Sequence, residues 1–592
     1  MVENEQSSGF FAIISEMFDR LRQRLRAIRR FFNRTFTRGP ALLRRMGIPF
    51  SPVDPQRRGF VVVQIDGLSY RRMLRAMRHH QLPFLNSLVK SGKLKAHRFY
   101  SEVPTSTPAF QGGLFYGSND NIPGFQFYDK REHYYYRMGY SDCAHRIEQS
   151  FQKPGLLKNG SVFSCVFTGG AEAALFVFST LLAPQRWRFV FRVWDILLLS
   201  FLNVLVIAKI LFLVALELLL GVYDTVMWFF QRGTIRRELE FIALRVILTI
   251  VTRELITLGA VIDIYRRVPV VYLNFLGYDE HSHVRGPDSA VARWTLRGID
   301  RCIERIYKAT LFAEREYDFF VLSDHGQCAV LPFEYLTGET LGEYLQTQLN
   351  GLLVESHTQK DSRGAQISAT LEGLIRLERS MPRLFRRPLR AYIRRMQKKL
   401  LKEQAHEDLD VLLDVFVVSS GPVAFAYWTH IERPLTYEEI EQMHPGLTDR
   451  LSTHPAIGMI SMRTASGDVI VKSRLGRAYL GSYSVRTEGW LPFDRSPNRK
   501  RIMEDIRRLT LYPRAGDICF WGGGSPSGNV SYSYELGAHS GWTDDETGAF
   551  ILVPPHITWD FSSVRHHTQF YDFFRRYMLE EDLAAQEAQR VG

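Results

Sequence analysis

Asp318-Phe319-Phe320-Val321-Leu322-Ser323-Asp324-His325-Gly326 joins an apolar run of strand length to two adjacent side chains of metal-ligand type and a glycine. Consecutive apolar and aromatic residues fit a strand buried on both faces, and open α/β sheets carry their reactive groups where the strands end at their carboxyl side. A single Asp-His pair also fits an ordinary polar turn after a buried strand. The choice depends on whether the rest of the chain supplies partners.

The same pattern recurs upstream. Phe60-Val61-Val62-Val63-Gln64-Ile65 ends in Asp66-Gly67, a short β-branched run closed by a carboxylate. Val268 to Phe275 leads into Leu276-Gly277-Tyr278-Asp279-Glu280-His281-Ser282-His283-Val284-Arg285-Gly286-Pro287, and a long helical pattern from Ser289 then reaches the Asp318 run. Successive strand-to-helix passes of this kind predict a parallel sheet with crossovers. Between the first two strands, Thr105, Ser106 and Thr107 stand between Pro104 and Pro108, ahead of a helical stretch. A hydroxyl at a helix N-terminus is well set to meet an anion, although Ser/Thr-Pro is equally an ordinary helix cap. Near the other end, Gly537-Ala538-His539-Ser540-Gly541-Trp542 precedes the apolar run Ala549 to Val553.

The 592 residues exceed what one hydrophobic core usually holds, so a large domain with insertions, or two to four domains, is expected. A net charge of +13 suits an anionic partner, whether nucleic acid, anionic membrane or phosphorylated substrate. The five cysteines are widely spaced and form no C-x-x-C pair, which argues against a disulfide framework or a thiolate zinc site. Any metal would take oxygen and imidazole ligands, for which 17 histidines are available. The polar, acidic start Met1-Val2-Glu3-Asn4-Glu5 lacks the pattern of a secretory signal.

Three further segments interrupt the strand pattern. From Phe10 to about Phe36, apolar residues recur every three or four positions with arginines between them, a basic amphipathic helix suited to an anionic bilayer surface or to packing on its own domain. Trp194 to Phe230 and Phe241 to Ile264 are strongly apolar and flank the basic turn Gln231 to Arg237. The first run is long enough to span a bilayer, yet Asp195, Asn203, Lys209, Glu217 and Asp224 form a polar stripe along it. Arg245, Arg253 and Glu254 burden the second run. A spanning pair, an interfacial pair and a buried helical insertion all stay open. Leu341 to about Gln404 reads as helical and increasingly basic, a solvated face or a second polyanion contact.

Together the strand ends offer Asp66, Asp279, His283, Asp324, His325 and His539, with a hydroxyl near Thr107. Carboxylates and imidazoles without thiolate suit Zn²⁺ in a catalytic setting, or Mn²⁺, and the set is large enough for two ions. A two-metal site of this kind aligns a nucleophile and stabilises a leaving oxygen, so a phosphate ester is the natural substrate.

These residues resemble the alkaline phosphatase superfamily, in particular its type I phosphodiesterase/nucleotide pyrophosphatase-like branch. The resemblance rests on strand-Asp66-Gly67, Pro104-Thr105-Ser106-Thr107-Pro108 before Gly112 to Gly117, Tyr278-Asp279-x-x-x-His283-x-x-Gly286-Pro287, Ser323-Asp324-His325-Gly326 and Ala538-His539-x-Gly541, in family order. It implies a three-layer α/β core with a mostly parallel central sheet, to which this chain adds the hydrophobic helical insertion and the N-terminal amphipathic helix read above. The segments are then 1–58 amphipathic helix and linker, 59–180, 265–340 and 411–580 catalytic core, 181–264 hydrophobic hairpin, 341–410 basic helical insertion and 581–592 tail.

It further implies that Asp66, Asp324 and His325 hold one zinc and that Asp279, His283 and His539 hold the other. Thr107 would be the nucleophile, in contact with metal, and would form a phosphothreonine intermediate that water hydrolyses. The family places an Asn shortly after the nucleophile; here Ala109, Phe110 and Gln111 follow, with Gln111 a substitute amide donor. The expected activity is hydrolysis of a phosphate diester or monoester at a membrane, with no nucleic acid as binding partner. A phospholipid head-group phosphotransferase and an inactive membrane scaffold are the alternatives.

Overall fold

A computed structural model of the chain describes residues 39–45, 48–119, 121–180, 247–349, 351–357, 390 and 413–578. The amphipathic pattern at 10–36, the first apolar run at 194–230, nearly all of the basic stretch at 358–412 and the 581–592 tail lie outside the described residues.

The central sheet is built from β1 (Gly59–Ile65), β2 (Lys95–Tyr100), β3 (Ser161–Phe163), β4 (Ala173–Leu175), β5 (Val270–Phe275), β6 (Tyr317–Leu322) and β7 (Gly548–Val553). Their order is β2-β7-β6-β1-β5-β3-β4. Every neighbouring pair is parallel except the two made by β7.

Side chains of a strand alternate between faces, so a strand covered on both sides reads as uninterrupted apolar sequence. In β1, Phe60 and Val62 face one layer together with Phe320, Phe110, Leu114 and the C-terminal Phe570 and Phe574. Val61, Val63 and Ile65 face the other layer with Met73, Leu85, Ile256, Leu296 and Ile303. The result is the expected three-layer α/β core.

Register carries the functional consequence. β1 lies between β5 and β6, with Ile65 opposite Phe275 and Gln64 opposite Leu322. The residues that follow these three strands therefore emerge side by side at one edge of the sheet. Antiparallel β7 and the end of β2 reach the same edge, since Tyr100 pairs with Gly548 and Leu322 with Ile551.

Two expectations change. The end of the second apolar run is a helix of the core, not the second arm of a membrane hairpin. α2 (Arg253–Tyr265) buries Ile256, Ala260, Ile262 and Ile264 in the layer beside β5 and α4 (Ala290–Phe312). Glu254, costly in a bilayer, is paired inside protein with Arg305 of α4. No described helix is long and apolar enough to cross a membrane.

The second change concerns residues 341–357, expected as part of a helical insertion, which supply a strand to a lobe that residues 413–530 complete around a sheet of its own. Its eight strands run Val354–His357, Val415–Ser420, Val423–Trp428, Ile518–Trp521, Met459–Arg463, Val469–Ser473, Gly476–Leu480 and Val485–Gly489 in spatial order, antiparallel after the first pair. A tight turn at Gly421-Pro422, with Gly421 in the left-handed region, reverses the chain so that Ser420 pairs with Val423.

Because Ile264 is fully buried against the sheet layer, Ile264→Ala is expected to destabilise the protein by about 2–5 kcal/mol. The check is the midpoint of urea unfolding; an unchanged midpoint would detach α2 from the core.

Candidate metal centre

Each ligand-type side chain stands shortly after a strand of the central sheet, on the helix that follows one, or in the loop that enters one. Asp66 follows β1, and Asp324 and His325 follow β6. Asp279 and His283 lie on α3 (Gly277–Arg285), one helical turn apart and so on one face. His539 lies in the loop before β7. They gather as Asp66, Asp324 and His325 in one group and Asp279, His283 and His539 in a second. The groups touch, with the rings of His325 and His539 stacked 3.9 Å apart.

Proton positions follow from the partners, because a carbonyl oxygen only accepts. His325 Nδ1 donates to the Gly326 carbonyl at 2.9 Å and His539 Nδ1 to the Thr105 carbonyl at 2.8 Å. His283 Nδ1 meets the Gly537 carbonyl at 2.9 Å and Glu535 Oε2 at 2.8 Å. With Nδ1 occupied, every Nε2 turns inward: His325 Nε2 is 3.2 Å from Asp324 Oδ2, and His283 Nε2 is 3.0 Å from Asp279 Oδ2. Asp324 Oδ2 is buried with no hydrogen-bond donor.

In the first group lone pairs of nitrogen and oxygen thus converge in a space closed to water, an arrangement that a divalent cation satisfies. The donor set, imidazole and carboxylate without thiolate, fits Zn²⁺ or Mn²⁺.

Electrostatics point the same way. Burial, and then the nearby carboxylates of Asp324 and Asp279, hold Asp66 well above the ordinary carboxylate range. Burial, followed by the charge of Asp279, raises Asp324 to about 7. Burial also pushes Asp279 upward, but the imidazoles of His283 and His539 more than offset it and leave that carboxyl far below its usual value. His325 is pushed well down by burial and then by His539.

Of the three hydroxyls, that of Thr107 lies against the first group. Thr107 opens α1 (Thr107–Tyr116), and its Oγ1 donates to Asp66 Oδ1 at 3.2 Å and lies 3.4 Å from His325 Nε2. Thr105 is committed elsewhere, donating to the Gly541 carbonyl and accepting from Ser540 N. Ser106 is the N-cap residue of α1 by its backbone, and its buried Oγ makes no capping hydrogen bond. His281 turns away to Thr295 of α4, so only His283 reaches the group.

Gln111 does not take the role of the missing Asn. It is fully buried, with its Nε2 on Gln64 Oε1 and its Oε1 accepting from Val166 N.

Three supporting residues escaped the sequence reading. Asn274 Nδ2 donates to Asp66 Oδ2 at 2.6 Å, Gln327 Nε2 donates to Asp279 Oδ1, and Glu535 backs His283. Asn274 was detectable as the one polar side chain within apolar β5, whereas Gln327 and Glu535 carry no local signal. Gly67 is required by close approach: its backbone is left-handed, its N–H reaches Asp324 Oδ1 at 3.3 Å, and a Cβ would overlap Asp279 Oδ1.

The model of the type I phosphodiesterase/nucleotide pyrophosphatase family matches residues 60–419. The chain belongs to this family. It is therefore a phosphoric ester hydrolase of the alkaline phosphatase superfamily, as the motifs implied. The matched segment holds Asp66, Thr107, Asp279, His283, Asp324 and His325, while His539 lies beyond it.

Among solved structures, the chain is similar to phosphonoacetate hydrolase from Sinorhizobium meliloti bound to phosphonoformate, at 12% identity over 88% of this chain and 95% of that one, TM-score 0.44. It is also similar to murine ectonucleotide pyrophosphatase/phosphodiesterase 5 in complex with AMP, at 11% identity over 88% and 95%, TM-score 0.41. No match was found among curated proteins.

The raised carboxyls set a pH dependence. A folded-state pKa of about 7 for Asp324, against an ordinary 3.8, means that its contribution to the metal-free fold is complete below 3.8 and lost as pH rises through 7. His325 and His539, both depressed, act in the reverse sense and stay neutral near pH 7. A cation must therefore displace protons from Asp66 and Asp324, and also from His283, whose imidazole, against the effect of burial, is held well above its ordinary value by the carboxylates of Asp279 and Glu535. The rise in melting temperature on adding Zn²⁺ is expected to be larger at pH 8 than at pH 5.5, measured by scanning calorimetry.

Proposed function

We propose that the protein is a two-metal phosphate-ester hydrolase in which Thr107 is the nucleophile. The observation that carries this reading is the position of Thr107 Oγ1, 3.2 Å from Asp66 at the N-terminus of α1 and against one buried ligand group. Asp66, Asp324 and His325 would hold one zinc ion, and Asp279, His283 and His539 the other, with Mn²⁺ a chemically compatible substitute. Bound there, such ions supply Lewis-acid stabilisation of charge on the phosphoryl oxygens and lower the pKa of a coordinated hydroxyl.

The chain's own residues do the rest. Asp66, itself steadied by Asn274, accepts the Thr107 hydrogen bond and orients Oγ1. The N–H groups of the first turn of α1 favour the anionic phosphoryl group. Attack by Thr107 Oγ1 on phosphorus forms the Oγ1–P bond and breaks the bond to the ester oxygen, which departs as the alcohol or phosphate and takes up the proton that Thr107 gives up. Water then cleaves the phosphothreonine, freeing phosphate or its monoester and restoring the hydroxyl, with net retention at phosphorus.

Docking on an anionic membrane surface completes the proposal. It rests on the basic amphipathic pattern at 10–36, the apolar run at 194–230 and the net charge of +13. The second apolar run no longer contributes, since α2 belongs to the core.

Thr107→Ala is expected to lower turnover of bis-p-nitrophenyl phosphate or p-nitrophenyl phosphate by about 10³-fold or more, with bound zinc unchanged by mass spectrometry. Turnover at the wild-type level would remove Thr107 from the nucleophile's role. For the membrane, co-sedimentation with phosphatidylserine vesicles is expected to weaken with added salt and to be lost on phosphatidylcholine vesicles. Equal recovery in the supernatant with both lipids would end that part of the proposal.

A further inference from the structure

Behind the first ligand group lies a second set of polar side chains that the reaction does not use. Ser101, immediately after β2, Glu102 and His567 are all fully buried. Ser101 Oγ is 2.6 Å from the backbone carbonyl of Asp324 and 2.9 Å from His567 Nε2. His567 Nδ1 is 3.4 Å from Glu102 Oε1. The three residue types are those of a serine-hydrolase triad, but substrate has no access to a fully buried serine, so the set has no hydrolytic role.

The proton directions can be assigned. The Asp324 carbonyl only accepts, so the single proton of Ser101 points to it. The remaining neighbour of Ser101 Oγ, His567 Nε2, must then donate. The chain runs one way, from His567 Nε2–H to Ser101 Oγ–H to the Asp324 carbonyl.

Glu102 anchors the far side. Its Oε1 accepts from His567 N at 2.9 Å and from Asn119 Nδ2 at 2.6 Å, and its Oε2 is 2.8 Å from His566 Nδ1 and 2.5 Å from Arg508. The His567 ring also packs on the nucleophile's helix. It lies 5.0 Å from the Phe110 ring, and it requires glycine at 113 because a Cβ there would overlap His567 Cβ. One imidazole therefore touches both structures whose relative placement matters: α1, which carries Thr107, and, through Ser101, the peptide that carries Asp324.

We infer that His567, acting through Ser101, is a positioning residue that holds Asp324 and the nucleophile helix in their mutual geometry. His567 lies outside the segment matched by the family model, which ends at 419. The site thus depends on a contact from the C-terminal part of the chain.

The inference rests on the proposed zinc site and threonine nucleophile, and three measurements separate their failures. Zinc affinity of the metal-stripped full chain is read by competition with a chromophoric chelator. kcat and KM are read with bis-p-nitrophenyl phosphate, and the ¹⁵N shifts of His567 by NMR.

Ser101→Ala and His567→Leu are each expected to weaken zinc binding and lower kcat by about 10–100-fold, the usual cost of losing a partner of a metal ligand, with KM nearly unchanged. The double variant should be no worse than the worse single one. His567→Gln, which restores an N–H near Nε2, should recover most of the zinc affinity. The ¹⁵N shifts should report the neutral Nε2–H tautomer, whether or not turnover is found.

The inference is overturned if Ser101→Ala keeps zinc affinity and kcat within twofold of wild type, if the two single losses multiply in the double variant, or if His567 carries its proton on Nδ1. Should His567→Leu fail to fold, Ser101→Ala, which removes one oxygen, still decides the matter. Absence of turnover in the wild type with these zinc and NMR results intact would overturn the functional proposal and leave the positioning role standing.

Discussion

The structure turns on acceptor atoms forced together with too few donors to satisfy them. Asp66, Asp324 and the Nε2 atom of His325 meet in a space closed to water, and each imidazole of the two groups has its Nδ1 proton assigned to a carbonyl or carboxylate behind it. Burying one unpaired carboxylate already costs several kcal/mol. Three carboxylates in neighbouring groups, with only a few neutral donors and one imidazole pair among them, are tolerable only if protons or cations compensate them. This demand links the fold to its chemistry: the sheet is held rigid on both faces, so the ligands cannot move apart to relieve the repulsion.

That rigidity comes from ordinary packing. Both faces of β1 are covered, and its register with β5 and β6 leaves no freedom in where Asp66, α3 and Asp324 emerge. A one-residue slip would turn each inward side chain to the opposite face. The backing residues then set orientation within that frame. Asn274 holds Asp66, Gln327 holds Asp279, and Thr105 ties the His539 loop to the segment that presents Thr107. The loop carrying His539 and the loop carrying Thr107 are thereby one unit, although more than 400 residues separate them in the chain.

The second lobe shows where periodicity stops being informative. Val415 to Tyr427 reads as strand from its β-branched and aromatic residues, yet nothing in that run says which sheet it joins. Its partners, Val354–His357 before it and Ile518–Trp521 after it, are chosen by pairing across long stretches of chain. The end of the second apolar run was ambiguous for the same reason. An apolar helix suits a bilayer and a sheet layer equally, and the partner of Glu254, Arg305, is supplied by a different helix. Gln111 had the right chemistry for a phosphate contact, but its neighbours Gln64 and Val166 claim both ends of its amide.

The sequence by itself determined the elements and the donors. Apolar runs closed by Asp66, by Asp324-His325 and by the Asp279-to-His283 helix are local patterns, since strand alternation, helical spacing and ligand chemistry act between near neighbours. Only the tertiary structure decided that these ends share one edge, that Thr107 and not Thr105 or Ser106 faces Asp66, and that Asn274, Gln327, Glu535, Ser101 and His567 stand behind the ligands. Those contacts join residues far apart in the chain, and a hydrogen bond between distant segments leaves no trace in the spacing of either one.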